Sequence, residues 1–251
     1  MRLGVVNFLN AWPLWGALEN SSAVTLVPDI PSRLVAYLRE GKVDAALISS
    51  IEFFRLGKGY TYHKGVCVGA KNRVASIRFF TADASLSFRE TLTRLNIIYT
   101  DAASRSSVAQ LKVILKELGI NIPFQEIDNA DEKIPQLAKG EGLIAIGDTA
   151  LAHRTRLSFD VQQEYYSLFK RGFVYALWAY PTALQNSLDT LFTTAYKNYL
   201  ANEEQLLKEA IRRFGFDADF TQEYLTKIIQ HTLTPERAND LFFFVEKHKN
   251  I

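Results

Sequence analysis

Apolar positions along this chain alternate between short continuous runs and helical stripes, with polar punctuation between them. Residues 2–8 read as a short strand, and Pro13 suits the first turn of the helix after it, because the N–H it lacks would have been unpaired there. Pro31-Ser32 opens a second helix with Leu34 and Leu38 on one face, and Gly41 ends it as a left-handed cap would. The run from Val43 to Ile48 is a buried strand, and residues 66–82 read as extended, with a polar interruption at Lys71-Asn72-Arg73. Asn96 to Thr100 is a further strand. Ser104-Arg105-Ser106-Ser107 then enters a helix whose Val108, Leu111, Leu115 and Leu118 share a face before Gly119 stops it. Leu143 to Ile146 repeats the buried-strand pattern and ends in Gly147-Asp148, and residues 166–180 read as one long aromatic extended segment. From Ala183 the pattern is helical, and Thr234-Pro235-Glu236 starts a last helix with Leu241, Phe242 and Val245 as its apolar face. Strands alternating with helices in this way predict an α/β fold.

Candidate chemistry sits where these strands end. Asn10 lies in a strand-to-helix crossing, where open α/β folds bind small anions against exposed backbone N–H groups. Asparagine also shapes turns by bonding to nearby backbone, so the position alone leaves both roles open. Ser49, Ser50 and Glu52 follow the strand that ends at Ile48, and helix capping is their other reading. Ser104, Arg105, Ser106 and Ser107 put hydroxyls and a guanidinium at a helix start, where free N–H groups and the helix dipole favour a carboxylate; serine is also the ordinary cap.

Composition narrows the classes. At 251 residues and 48% hydrophobic content, the chain can bury the core of one large or two small domains. A net charge of +2 with acids and bases interspersed points to neither nucleic acid nor membrane, and is compatible with a small anionic ligand. The chain enters a strand at once, without the regions of a secretory signal, and no apolar run reaches spanning length. With Cys67 alone, this leads us to expect a reducing, cytoplasmic location and no disulfide framework. His63, His153, His231 and His248 are scattered without metal-ligand spacing, so no metal is expected, and no phosphate loop, dinucleotide fingerprint or nucleophile elbow is present. Any chemistry is left to hydroxyls, amides, backbone N–H groups and a few charges.

Several segments occur in one order: Val6 to Leu14, Pro31 to Gly41, Asp44 to Glu52, Val74-Ala75-Ser76-Ile77, Ser104 to Ser107, Ile146-Gly147-Asp148 with Ala150-Leu151, and Phe173 to Trp178. This succession resembles the chorismate dehydratase family of the futalosine route to menaquinone. The resemblance implies a two-lobed periplasmic-binding-protein type II-like fold with the ligand in a cleft between lobes. We expect lobe 1 to be discontinuous, from residues 1–76 and 175–251, and lobe 2 to span 77–174. The implied activity is a carbon–oxygen lyase reaction: cofactor-free loss of water from chorismate, a small dicarboxylate, to give 3-[(1-carboxyvinyl)oxy]benzoate. Asn10 matches the family's motif asparagine and takes the catalytic role, while Ser50, Ser76, Ser104, Arg105, Ser106, Ser107 and Asp148 are the matching substrate-binding positions. No side chain stands out as the base, which makes the substrate's own side-chain carboxylate a candidate.

The chain also departs from the family pattern. It carries Tyr165 and then Phe169-Lys170-Arg171-Gly172-Phe173 where members tend to have Trp and then Thr-Gly-Leu-Pro-Phe, and Asn72 where a Gly is usual. Lys170 and Arg171 either add anion contacts or form a solvated pair. Two other functions compete: a non-catalytic small-anion-binding protein of the same fold, and the sister enzyme that forms a naphthoate in the same pathway. The N-terminal motif of that sister has a Cys-Pro-Asn-Asp-like segment that Asn7 to Pro13 does not match.

Overall fold

The computed structural model describes residues 1–83, 85–101 and 105–249. Its strands are β1 (Arg2–Val5), β2 (Thr25–Pro28), β3 (Ala45–Ser49), β4 (Tyr60–Tyr62), β5 (Val66–Ala70), β6 (Ile77–Thr81), β7 (Ile97–Asp101), β8 (Phe124–Ile127), β9 (Glu141–Ile146), β10 (Ser158–Asp160), β11 (Phe173–Pro181) and β12 (Ile229–Thr232). The helices are α1 (Trp12–Trp15), α2 (Pro31–Arg39), α3 (Ser50–Leu56), α4 (Phe88–Leu92), α5 (Arg105–Leu118), α6 (Ala130–Lys133), α7 (Gly147–Ala152), α8 (Val161–Phe169), α9 (Gln185–Ala201), α10 (Glu203–Phe214), α11 (Ala218–Glu223) and α12 (Pro235–His248). They group into two units: Met1–Gly69 with Val174–Asn239, and Ala70–Phe173 with Asp240–Ile251.

The first unit is built on a 7-stranded sheet in the order β12-β5-β11-β3-β1-β2, with β4 paired to β11. β1 runs parallel to β2 and β3, pairing Leu3 with Leu26 and Ala45, and β11 runs antiparallel to β3 with Ala176 opposite Ser49. The carboxyl ends of β1 and β3 and the amino end of β11 therefore share one sheet edge. Gly4 lets α2 lie close: a Cβ there would meet Leu34 Cδ2 at 2.9 Å. Trp12, Trp15 and Trp178 are buried, and Trp178 stacks on Phe192 with centroids 4.3 Å apart. Side chains of this size supply a large share of the burial that holds such a unit together.

The second unit has a 5-stranded mixed sheet in the order β10-β6-β9-β7-β8. β6 is antiparallel to β9, with Ile77 opposite Ile146, and β7 is parallel to β9, with Thr100 opposite Ile144. The amino end of β6 thus meets the carboxyl ends of β9 and β7 at one edge. Phe80, Leu143 and Ala145 pack with Ala130, Ile134 and Ala150 in one buried cluster, and Phe79 and Ile144, next in line on their strands, are buried on the opposite face of the sheet.

Four expectations are corrected. Residues 166–180 are not one extended segment: α8 runs to Phe169, because the Asp160 side chain accepts from the N–H groups of Gln162 and Gln163 and caps its start, and Lys170 ends it at φ 54. The C-terminal region is not helical throughout, since β12 interrupts it with inward-facing Ile229 and His231. The buried face of α12 is Leu241 and Phe244 rather than Leu241, Phe242 and Val245; Phe242 is 50% exposed, one step out of the 3.6-residue phase. On α5, Val108 and Leu118 lie at the margin of the buried stripe, whose centre includes Ser107, Gln110, Leu111 and Ile114.

The unit bounds also differ from 1–76, 77–174 and 175–251, since residues 70–76 and the chain from Asp240 group with the second unit. Asp240 accepts from the Gly172 N–H at 2.9 Å and pairs with Arg171 at 3.4 Å, and Phe244 packs on Phe173 with centroids 4.4 Å apart. These contacts draw the last helix in.

Candidate functional site

Asn10 sits in a single 3-10 turn, Leu9–Ala11, between two fully buried neighbours, and the Ala11 N–H closes the turn on the Phe8 carbonyl at 3.0 Å. The turn is thus anchored while Asn10 itself stays half-buried. The Asn10 carbonyl accepts a hydrogen bond from His231 Nε2 at 2.9 Å. Its side-chain amide has no hydrogen-bond partner among the described residues. Burial pushes the His231 pKa down to about 4, so the ring is neutral, and a carbonyl partner requires the proton on Nε2. Ser50, fully buried at the start of α3, donates its hydroxyl to the Val174 carbonyl at 2.7 Å. That bond ties α3 to the amino end of β11. Glu52 pairs with Arg55 at 2.7 Å on the same helix.

In the second unit, the chain before β6 makes a tight turn. Ser76 N–H donates to the Val74 carbonyl at 2.7 Å, with Ala75 between them at φ 60. A two-residue closure of this hand is rare and strained for a residue with a Cβ. Asp160 holds it in place: its carboxylate accepts from the N–H groups of Val74 (3.1 Å), Ala75 (2.7 Å), Gln162 (3.0 Å) and Gln163 (3.2 Å). Burial raises the Asp160 pKa, and the backbone donors and the Arg78 charge oppose that rise.

Gln162 donates to the carbonyls of Lys71 and Arg171 and accepts from Gln110 at 2.7 Å. This chain of buried amides ties the backbone at Lys71 and Arg171 to α5. Ser76 is fully buried, its carbonyl accepts from Gly147 N–H at 2.8 Å, and its hydroxyl has no hydrogen-bond partner among the described residues. An unpaired buried hydroxyl costs free energy that a ligand can recover.

Ser106 and Ser107 are buried in the first turn of α5, and Asp148 is half-buried in the first turn of α7. Arg105 is exposed and lies 4.0 Å from Glu126, a surface pair that holds neither side chain firmly. Ser104 lies outside the described residues. The structure therefore brings Ser76, Ser106, Ser107 and Asp148 to one edge of the second sheet, and Asn10 and Ser50 to one edge of the first. It does not give Arg105 a preorganised position. Lys170 serves as the left-handed cap of α8, and Arg171 is engaged by Asp240.

His231, Asp160, Gln110 and Gln162 are the positions that reading the sequence missed. The available signal was weak: isolated polar residues inside otherwise apolar runs. Among the described residues no group of His, Cys, Asp and Glu is arranged to hold a metal ion, and no helix is long and apolar enough to cross a membrane.

Two α/β units, each with its own sheet and each assembled from separated stretches of chain, with polar groups gathered at strand ends, define a periplasmic-binding-protein fold. Solved structures agree. A protein from Archaeoglobus fulgidus matches with a TM-score of 0.73 at 12% identity, covering 100% of this chain and 98% of that one. The periplasmic aliphatic sulphonate binding protein of Escherichia coli matches with a TM-score of 0.70 at 13% identity, covering 100% and 85%. The alkanesulfonate-binding protein of Xanthomonas axonopodis pv. citri, bound to MOPS, matches with a TM-score of 0.64 at 13% identity, covering 97% and 89%. At these identities the likeness shows the fold. No curated protein sequence matches the chain. A family model described as menaquinone biosynthesis matches residues 1–249, and the chain belongs to that family.

Proposed function

We propose that the protein converts chorismate to 3-[(1-carboxyvinyl)oxy]benzoate, a step toward menaquinone. Family membership supports the pathway, and the ordered motifs resembling chorismate dehydratases support the reaction. The observation that carries the reading is the Asn10 amide: an uncharged donor–acceptor group in an anchored turn, with no partner of its own among the described residues.

The reaction removes the ring C3 proton and the C4 hydroxyl as one water, and the ring becomes aromatic. Because C3 is conjugated through a ring double bond to the ring carboxylate, charge developing on proton loss spreads to that carboxylate, where fixed donors stabilise it. Asn10 orients the substrate at the departing proton or hydroxyl. The hydroxyls of Ser76, Ser106 and Ser107 are suited to the carboxylates, with the α5 dipole adding to the latter two. Asp148, an acceptor, suits a substrate hydroxyl and not a carboxylate. The enolpyruvyl carboxylate of the substrate takes the C3 proton.

Incubating purified protein with chorismate tests the reading: an aromatic absorbance should rise, with a product mass equal to chorismate less one water. Binding without turnover would favour the small-anion-binding protein, an option supported by the sulphonate-binding function of two fold relatives. Turnover of a cyclic nucleoside-derived intermediate instead would favour the naphthoate-forming sister enzyme.

A further inference from the structure

We infer that His231 is a positioning residue whose imidazole, through the Asn10 carbonyl, sets the turn that aims the Asn10 side-chain amide. For its kinetic consequence this rests on the proposed dehydration; the hydrogen bond does not. Three observations carry it. First, Pro13 has no N–H to offer the carbonyl three residues before it, so the turn that presents Asn10 lacks that ordinary donor. His231 Nε2 supplies one at 2.9 Å. Second, the donor comes from the other end of the first unit's sequence: His231 lies in β12, which pairs with β5, so the bond references the Asn10 turn to the sheet itself. Third, His231 is only 6% exposed and its ring is neutral, with the Tyr196 ring 6.5 Å away and the Arg237 charge disfavouring protonation. The ring is held as a fixed dipole.

Within Asn10, the carbonyl and the Cα–Cβ bond are separated by the single backbone torsion ψ, which the 3-10 turn and the His231 bond together hold. Releasing the carbonyl lets the turn rotate and moves the amide with it. A displacement near 1 Å at a reacting group costs about a hundredfold in rate.

Two variants and two readouts decide the matter. His231→Leu removes the donor, and His231→Gln returns an amide N–H to about the place of Nε2. We expect kcat for chorismate to fall about tenfold or more in His231→Leu with KM within about threefold of wild type, and most of that loss to be recovered in His231→Gln. In parallel, the Asn10 side-chain amide is followed by NMR on 15N-asparagine-labelled protein, assigned by its absence from Asn10→Ala. It should shift or broaden in His231→Leu and return in His231→Gln.

An unchanged Asn10 amide signal and unchanged kcat in a folded His231→Leu protein would overturn the inference. So would a folded His231→Gln protein impaired in both readouts as severely as the leucine variant. If His231→Leu does not fold, His231→Asn, one methylene too short to reach, takes its place with the same expected losses. Wild-type protein that leaves chorismate unchanged would sink the proposed reaction alone, and the NMR comparison would still decide for or against His231.

Discussion

The strand-end edges of the two units hold their polar groups differently. In the first, Ser50 donates to the Val174 carbonyl and the Asn10 carbonyl is served by His231, while the Asn10 side-chain amide has no partner among the described residues. In the second, a buried carboxylate, Asp160, pins a strained turn at Ala75, and the Ser76 hydroxyl beside that turn is buried without a partner. The first edge presents the Asn10 amide from a turn held by made hydrogen bonds. The second maintains strain and an unmet hydrogen bond, the pattern found where a ligand completes the structure.

The contrast can be broken most directly at Asn10. Asn10→Ala is expected to lower kcat for chorismate by on the order of a hundredfold or more, about 3 kcal/mol, while the melting temperature stays near that of wild type. Kinetics and calorimetry on the same preparation check it. On the other edge, Asp160→Ala should leave buried N–H groups unpaired and destabilise the fold by on the order of 3 kcal/mol in urea titration. It should also raise KM, because the turn holding Ser76 is released.

The third expectation concerns pH. The folded-state pKa of His231 lies at about 4, below its ordinary value near 6.5, so the unfolded chain binds more protons between those values and stability rises with pH there. Stability is therefore lost as pH falls from about 6.5 toward about 4. Burial lowers His63 in the same direction. The difference in urea midpoint between wild type and His231→Gln across this window isolates the His231 share; a constant difference would contradict it.

The smallest effects are the most diagnostic. Ser50→Ala breaks a made hydrogen bond and should cost about 1 kcal/mol of stability with little change in KM. Ser76→Ala removes an unpaired buried hydroxyl and should leave stability equal or slightly higher while raising KM. Equal stability losses in both variants would erase the distinction between the edges.

What the sequence made legible follows from how local each signal is. Pro31 and Gly41 bound a helix because proline and a left-handed glycine act within their own turn, and the structure puts α2 at Pro31–Arg39 with Gly41 at φ 66. The family resemblance singled out Asn10 and the serines as expectations for a similar reason, since those motifs are contiguous. His231 was not legible, because its partner lies 221 residues away and a lone histidine carries no spacing signal. Asp160 and Gln162 were hidden for the same reason: their value lies in carbonyls and N–H groups of Lys71, Val74, Ala75 and Arg171 that only the fold brings near. Reading 166–180 as one strand failed because the aromatic run Tyr165-Tyr166 with Phe169 serves helix and strand alike, and the Asp160 cap decided for helix.

The central claim is that this chain dehydrates chorismate, and mass analysis of chorismate after incubation with wild-type protein and with Asn10→Ala tests it most directly. The account predicts 3-[(1-carboxyvinyl)oxy]benzoate with the former and, over the same time, almost none with the latter. Chorismate recovered unchanged from both, or product formed equally by both, would contradict it.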